Sequence, residues 1–173
     1  MPDAFTGKEF EIFIMTMEDY ADVASAANWS TDSDTTEVTT LAKNFELSAG
    51  GVTTEYETFF GDARISFQSP REPYEISFTA RIPKDTANKN FWETLNYGAT
   101  PKSDGSPVAC IIGVRGTDGT DIKSIEFKNA TMSQFDMNFE AESYWQAEVT
   151  FTVPPTDDEG DPNVDFNTPT FVK

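Results

Sequence analysis

Thirty carboxylates, twelve cationic side chains and no histidine decide most of what this chain could do chemically. Without imidazole there is no ordinary general base, no Ser-His or Cys-His nucleophile pair and no usual zinc site. Ser-Lys and carboxylate-pair chemistry stay open. With so many acids, however, some pair by chance, and solvated strand faces account for them better. The clusters Asp32 with Asp34, Asp118 with Asp121, and Asp157 to Asp165 offer the hard oxygens that calcium takes, yet none matches the twelve-residue loop pattern. Gly116 and Gly119 lack the following helix and the Lys-Ser/Thr pair of a phosphate loop. Asn28-Trp29-Ser30 and Asn129-Ala130-Thr131 fit the N-glycosylation pattern, which arises by chance in a Thr-rich chain. Cys110 sits alone in the apolar run Val108 to Val114, so it has no intrachain disulfide partner and reads as a buried, inert thiol. Trp92 and Trp145 read as core or subunit contacts before a sugar-stacking platform. The expectation is no catalytic residue, no cofactor and no metal.

Charge narrows the partners. A net charge of -18 opposes binding to nucleic acid, whose affinity comes from Lys and Arg displacing counterions, and opposes an anionic membrane surface equally. Two compatible readings remain: solvation in concentrated salt, where repulsion is screened within about 3 Å at 1 M, or a surface that repels a polyanion. Lys outnumbers Arg, which weighs against strong halophily. The N-terminus has no signal-peptide pattern and no apolar run approaches the roughly 18 residues of a span, which predicts synthesis and assembly in the cytoplasm.

The elements that would carry these residues are mostly strands. Leu, Ile, Val and Phe make up roughly 21% of the chain, barely above the level of about 20% below which charge suggests disorder. Abundant Phe and Thr with scarce Leu favour strands. Tyr74, Ile76, Phe78, Ala80 and Ile82 alternate with Glu75, Ser77, Thr79 and Arg81, the period of a strand with one buried face. Pro83 ends that strand. Asp85 or Thr86 then caps a predicted short helix bearing Phe91, Trp92 and Leu95, closed by Gly98.

Other strands are expected at Phe10 to Ile14, Glu37 to Leu47, Val108 to Val114, Ile122 to Met132 and Tyr144 to Val153, the last crossing the middle of the sheet. Met17 to Ala27 has helical spacing with Thr16 as cap. Val52 to Gln68 reads as a hairpin turning at Gly61-Asp62. The whole is one domain of 173 residues, with residues 1–8 as an N-terminal arm and 154–173 as a C-terminal arm, ordered on a neighbour if at all.

This order of elements, with Ile125-Glu126-Phe127-Lys128-Asn129-Ala130 and then Trp145 to Val153 as paired closing strands, resembles the tail tube (major tail) protein of long-tailed viruses. The acidity is similar to that of proteins from viruses of halophilic archaea. The resemblance implies a mainly β fold, a β-sandwich or half-barrel with one flanking short helix, a long hairpin loop and extended terminal arms. It implies a virion protein whose copies form hexameric rings stacked into a tube through which DNA passes unbound, with other tail proteins at its ends and no membrane. Glu75, Glu126, Glu140, Glu142 and Glu148 are then candidates to line the lumen. Val52, Tyr56, Phe59, Phe60, Val164, Phe166 and Phe171 are candidates for inter-ring or inter-subunit contact. The competing expectation is a virion decoration or surface-binding β-sandwich that recognises a protein or sugar.

Overall fold

Two rules of strand chemistry, alternation along a strand and bulges where alternation fails, account for the architecture. The computed structural model describes residues 10–23, 26–38, 42–48, 51, 54–58, 64–68, 71–81, 107–117, 122–138 and 146–165. Within them run β1 (Phe10–Thr16), α1 (Met17–Asp22), a 3-10 turn (Ala26–Thr31), β2 (Thr36–Glu37), β3 (Ala42–Ser48), β4 (Thr54–Thr58), β5 (Arg64–Gln68), β6 (Tyr74–Arg81), β7 (Ala109–Thr117), β8 (Ile122–Asn138), β9 (Gln146–Val153) and β10 (Val164–Asp165). The fold is mainly β. One antiparallel sheet has the order β2-β1-β7-β8-β9-β6-β3, with β10 added to β8, while β4 and β5 pair separately.

β6 and β9 follow their alternation closely. Tyr74, Ile76, Phe78 and Ala80 lie opposite Val153, Phe151, Val149 and Ala147, and all of them are buried. Burying each larger apolar side chain stabilises the fold by about 1.5–3 kcal/mol. Phe78 stacks between Phe45 and Phe151, with ring centroids 6.3 Å apart in both pairs. β9 is an interior strand, paired on both edges, as expected of the clearest alternation in the chain.

β8 joins the two halves of the sheet. It pairs with β7 as far as Thr131 and with β9 from Thr131 onward. Asn129 takes a left-handed φ of 55°, and the register shifts between Met132 and Gln134. Each irregularity moves the core-facing residue by one, so Ile125, Phe127, Ala130, Met132, Phe135 and Met137 all turn to the same core. Bends of this kind let one strand serve two sheet directions. The strand therefore continues to Asn138, past the expected end at Met132.

That core also takes Ile12 and Ile14 from β1 and Ile112 from β7. A second cluster lies on the opposite face of the β1–β7 half, where Phe13, Met15 and Ile111 are roofed by Trp29, with Met17, Tyr20 and Val23 packed against them. β1 is thus buried on both faces. Thr16 caps α1 as expected, its Oγ1 accepting from the Asp19 amide at 3.0 Å.

Several expectations change. The helix predicted to Ala27 stops at Asp22, and a 3-10 turn follows. Glu37 to Leu47 is two separate strands, the second bulged between Lys43 and Glu46. The arms of the expected hairpin pair from Thr54 opposite Gln68 to Thr58 opposite Arg64; the expected Gly61-Asp62 turn lies outside the described residues. The helix predicted over 85–98 lies outside the described residues.

Candidate assembly surfaces

One half of the outward sheet face is roofed and the other is open. The open half is built by β3, β6, β9 and the end of β8. Its register sets Ser48, Glu75, Thr152 and Thr131 in one row and Glu46, Ser77, Thr150 and Gln134 in the next. Thr79, Glu148 and Asp136 follow, then Arg81, Gln146 and Asn138. Glu46, Glu75, Glu148 and Asp136 are exposed. Two of them are held by hydrogen bonds: the Thr79 hydroxyl donates across to the Glu148 carboxylate at 3.1 Å, and Gln134 Nε2 donates along its own strand to Asp136 Oδ2 at 2.7 Å.

Where β3 bulges, Asn44 takes φ 54°. A hollow of about 390 Å³ opens there between Asn44, Phe45, Ser77, Thr79 and Glu148. β3 ends the sheet order, and its far edge pairs with no strand among the described residues. Leu47, on that strand, is 38% exposed. The face is rich in hydroxyls and carboxylates, so it stays solvated and repels polyanions.

Glu75 and Glu148 were both expected on such a face, and the structure brings them together on it. Glu126 departs from the expectation. It is 5% exposed, beneath the roof of the other half, where Trp29 Nε1 donates to its Oε1 at 3.0 Å. The ladder places it in a row Glu37–Phe13–Gly113–Glu126–Asp165 across β2, β1, β7, β8 and β10. Burial pushes its carboxyl above the usual range and the Asp165 charge adds to this, while the Trp29 bond and Lys128 oppose it. Trp29 meets Tyr20 edge-on, centroids 6.2 Å apart; burial and the charge of Glu126 push the Tyr20 hydroxyl up as well. Arg115, buried beside this row, lies 5.2 Å over the Phe13 ring and pairs with Glu11 through Nε at 2.8 Å.

Val164 departs too. The chain leaves the sheet after β9 and returns as β10 on the same edge of β8, with Val164 opposite Phe127 and packed into its own core. Asn163 is buried at this return. Its Nδ2 donates to the Pro154 carbonyl at 3.1 Å, its Oδ1 accepts from Asn129 Nδ2 at 2.7 Å, and its carbonyl accepts from the Lys128 amide at 2.8 Å. Asp157 Oδ1 closes the intervening turn by accepting from the amides of Glu159 at 2.9 Å and Asp161 at 2.8 Å. Residues 154–165, the first part of the expected C-terminal arm, therefore pack on their own chain. A sequence-distant partner, Asn129, carries that order, and no local pattern announces it.

Tyr56 lies in β4 opposite Ser66. Val52, Phe59, Phe60, Phe166, Phe171, Glu140 and Glu142 lie outside the described residues, as do Trp92 and Trp145. Sequence reading missed Glu46, which reaches the open face only because of the β3 bulge, and Asp136, which lies beyond the expected end of β8 and stays outward because its two shifts of parity cancel. Cys110 is buried, and burial, helped by the charge of Asp19, pushes its thiol up to about 12, so no thiolate nucleophile forms near neutrality. Among the described residues no helix is long and apolar enough to cross a membrane.

Comparison with known proteins adds the class of fold. No family model matches the sequence, and no curated protein does. Among solved structures, the chain is similar to one from the sheath/tube terminator of an extracellular contractile injection system (PVC) in its extended state, at 11% identity, with a TM-score of 0.55 over 88% of this chain and 94% of that one. A chain from the sheath-tube complex of the same system matches with the same identity and TM-score, over 88% of this chain and 89% of that one. A chain from the six-fold symmetrised baseplate of the anti-feeding prophage matches at 5% identity and TM-score 0.53, over 87% and 92%. The chain thus shares its fold with components of phage-tail-like particles.

Proposed function

We propose that this chain is a structural, non-enzymatic subunit of a tail-tube-like particle, and that its copies join into rings, six to a ring, stacked as a tube. The observation that carries the reading is the extent of the likeness, which spans 88% of this chain and 94% of a sheath/tube terminator. The edge of β3 beside Leu47 is where a neighbouring copy extends the sheet, because an unpaired strand edge templates pairing with another chain. The open face with Glu46, Glu75, Glu148 and Asp136 lines the lumen, where a carboxylate wall lets DNA slide without being held. Glu140 and Glu142 join that wall, whereas Glu126, being buried, does not. The hairpin bearing Val52, Tyr56, Phe59 and Phe60, together with Phe166 and Phe171, clasps the next ring. Other tail proteins close the ends of the tube, in a virion assembled in the host cytoplasm. The acidity suits a salt-loving host.

Electron microscopy of the purified protein tests this, in about 2 M salt, where screening acts within about 3 Å, and again after dilution. Hollow tubes or six-fold rings are expected, and Leu47→Lys should abolish them while leaving the circular dichroism of the subunit unchanged. Monodisperse single particles in both conditions overturn the tube reading and favour a decoration module.

A further inference from the structure

We propose that β10 is a proton-gated strap: the C-terminal strand docks firmly on β8 when the Glu126–Asp165 pair carries a proton, and loosens when both carboxylates are ionised. The geometry sets the two side by side, since Asp165 is the ladder partner of Glu126. Glu126 is 5% exposed, so water screens the pair poorly. Two carboxylates sharing such a site favour holding one proton between them. Among the described residues β10 meets β8 at two ladder positions, Val164 opposite Phe127 and Asp165 opposite Glu126, beside the bond from the Lys128 amide to the Asn163 carbonyl. One of those two ladder positions therefore sets the strap's affinity by its protonation.

The charged and titratable groups around Glu126 are few. Tyr20 approaches from α1 and stays neutral. The Trp29 indole donates from the 3-10 turn. Lys128 lies two residues on along β8, and Asp165 faces it from β10. On the β7 and β1 side the row offers Gly113 and Phe13, and the nearby Arg115 is engaged by Glu11. Lys128 and Trp29 favour the ionised form; burial and Asp165 oppose it and prevail in direction. Undocking β10 removes Asp165 and admits water, so the docked state holds the proton more tightly than the undocked one. By linkage, docking weakens as pH rises through the titration of Glu126. The physical consequence is a strand, Val164–Asp165, whose docking on β8 is set by pH.

Hydrogen exchange at one amide reads this directly, because the Lys128 N–H donates to the Asn163 carbonyl only while the strap is docked. Exchange is followed by NMR on the whole chain and corrected for intrinsic rates. Protection at Lys128 should fall several-fold between about pH 5 and about pH 8 while protection at Phe151, in the interior of β9, stays constant. Glu126→Gln should give high protection at Lys128 with no pH dependence. Asp165→Asn, which spares the Trp29 bond, should shrink the pH-dependent loss of protection and end it at lower pH, because the docked carboxyl of Glu126 is no longer raised by the Asp165 charge. Flat protection at Lys128 in the wild type, or the wild-type pH response retained in both variants, would overturn the proposal.

Discussion

Trp29→Phe is the most informative single perturbation, because it cuts a charged link between the roof and the sheet: the 3.0 Å bond from Trp29 Nε1 to Glu126 Oε1. Two terms add. A hydrogen bond to a charged group contributes about 1.5–3 kcal/mol. Replacing a 1%-exposed indole with phenyl loses further buried area, worth about 1–2 kcal/mol at roughly 0.8 kcal/mol per methylene-sized group. Together they take about 3–5 kcal/mol from a domain whose total stability is about 5–15 kcal/mol. A double-mutant cycle separates the terms: Trp29→Phe in a Glu126→Leu background keeps the packing loss and has no bond to lose. Urea unfolding followed by far-ultraviolet circular dichroism should give a coupling of about 1.5–3 kcal/mol at about pH 8. The sign with pH is fixed. Because burial raises the Glu126 carboxyl above 4.5, its protonated form favours the native state; that contribution is complete below the unfolded value and is lost as pH rises through the folded one. Trp29→Phe removes a group that lowers this pKa, so the variant should lose stability with rising pH more steeply than the wild type. Glu126→Gln should lack that component, which also subtracts the general self-repulsion of a chain at -18. A coupling under about 0.5 kcal/mol, within the error of additivity, would refute the reasoning.

Two further substitutions probe the sheet. Val149→Asp places a carboxylate between Phe78 and Phe135 on an interior strand, at a site 1% exposed; lost burial and an unpaired buried charge together exceed about 5 kcal/mol, so cooperative thermal melting should disappear, and its retention would count against the placement of β9. Asn129→Gly keeps the left-handed backbone and loses only the bond to Asn163, for about 1 kcal/mol, whereas Asn129→Val adds about 1–2 kcal/mol of strain at φ 55°; equal midpoints for the two variants in urea would show that the bend is not held at Asn129.

What the sequence made legible follows from where alternation survives. β6 and β9 alternate without a break, and their core-facing sets within the described residues came out as read, whereas Thr79 on the outward side of β6 is buried. β8 does not, because Asn129 and the shift between Met132 and Gln134 each reverse the parity, so a strand of one element reads as three fragments. Asp136 was missed because it lies past the expected end of the strand at Met132. Glu126 was legible as a strand residue facing away from the core, but not as buried, because its roof comes from Trp29, 97 positions away in the chain. Val164 was hidden for a similar reason: a two-residue strand after a polar, proline-rich turn has no periodicity, and its order depends on Asn129 and Phe127.

The division of the outer face into a roofed and an open half has one local origin. α1 and the 3-10 turn together run only from Met17 to Thr31, and the first core residue they roof is Phe13, so they cover β1 and β7 and reach no further than Glu126. Beyond the bend at Asn129 the sheet turns away, and its outward residues must be soluble by themselves. Thr131, Gln134, Asp136, Glu148, Thr150 and Thr152 meet that demand. The β1–β7 half is buried on both faces, whereas the β3–β6–β9 half carries exposed side chains on its outer face and, among the described residues, a strand edge with no ladder partner. On the proposed reading, the bend in β8 sets the direction of the sheet that ends in the β3 edge, so substitutions at Asn129 should alter how copies associate before they alter what the subunit core contains.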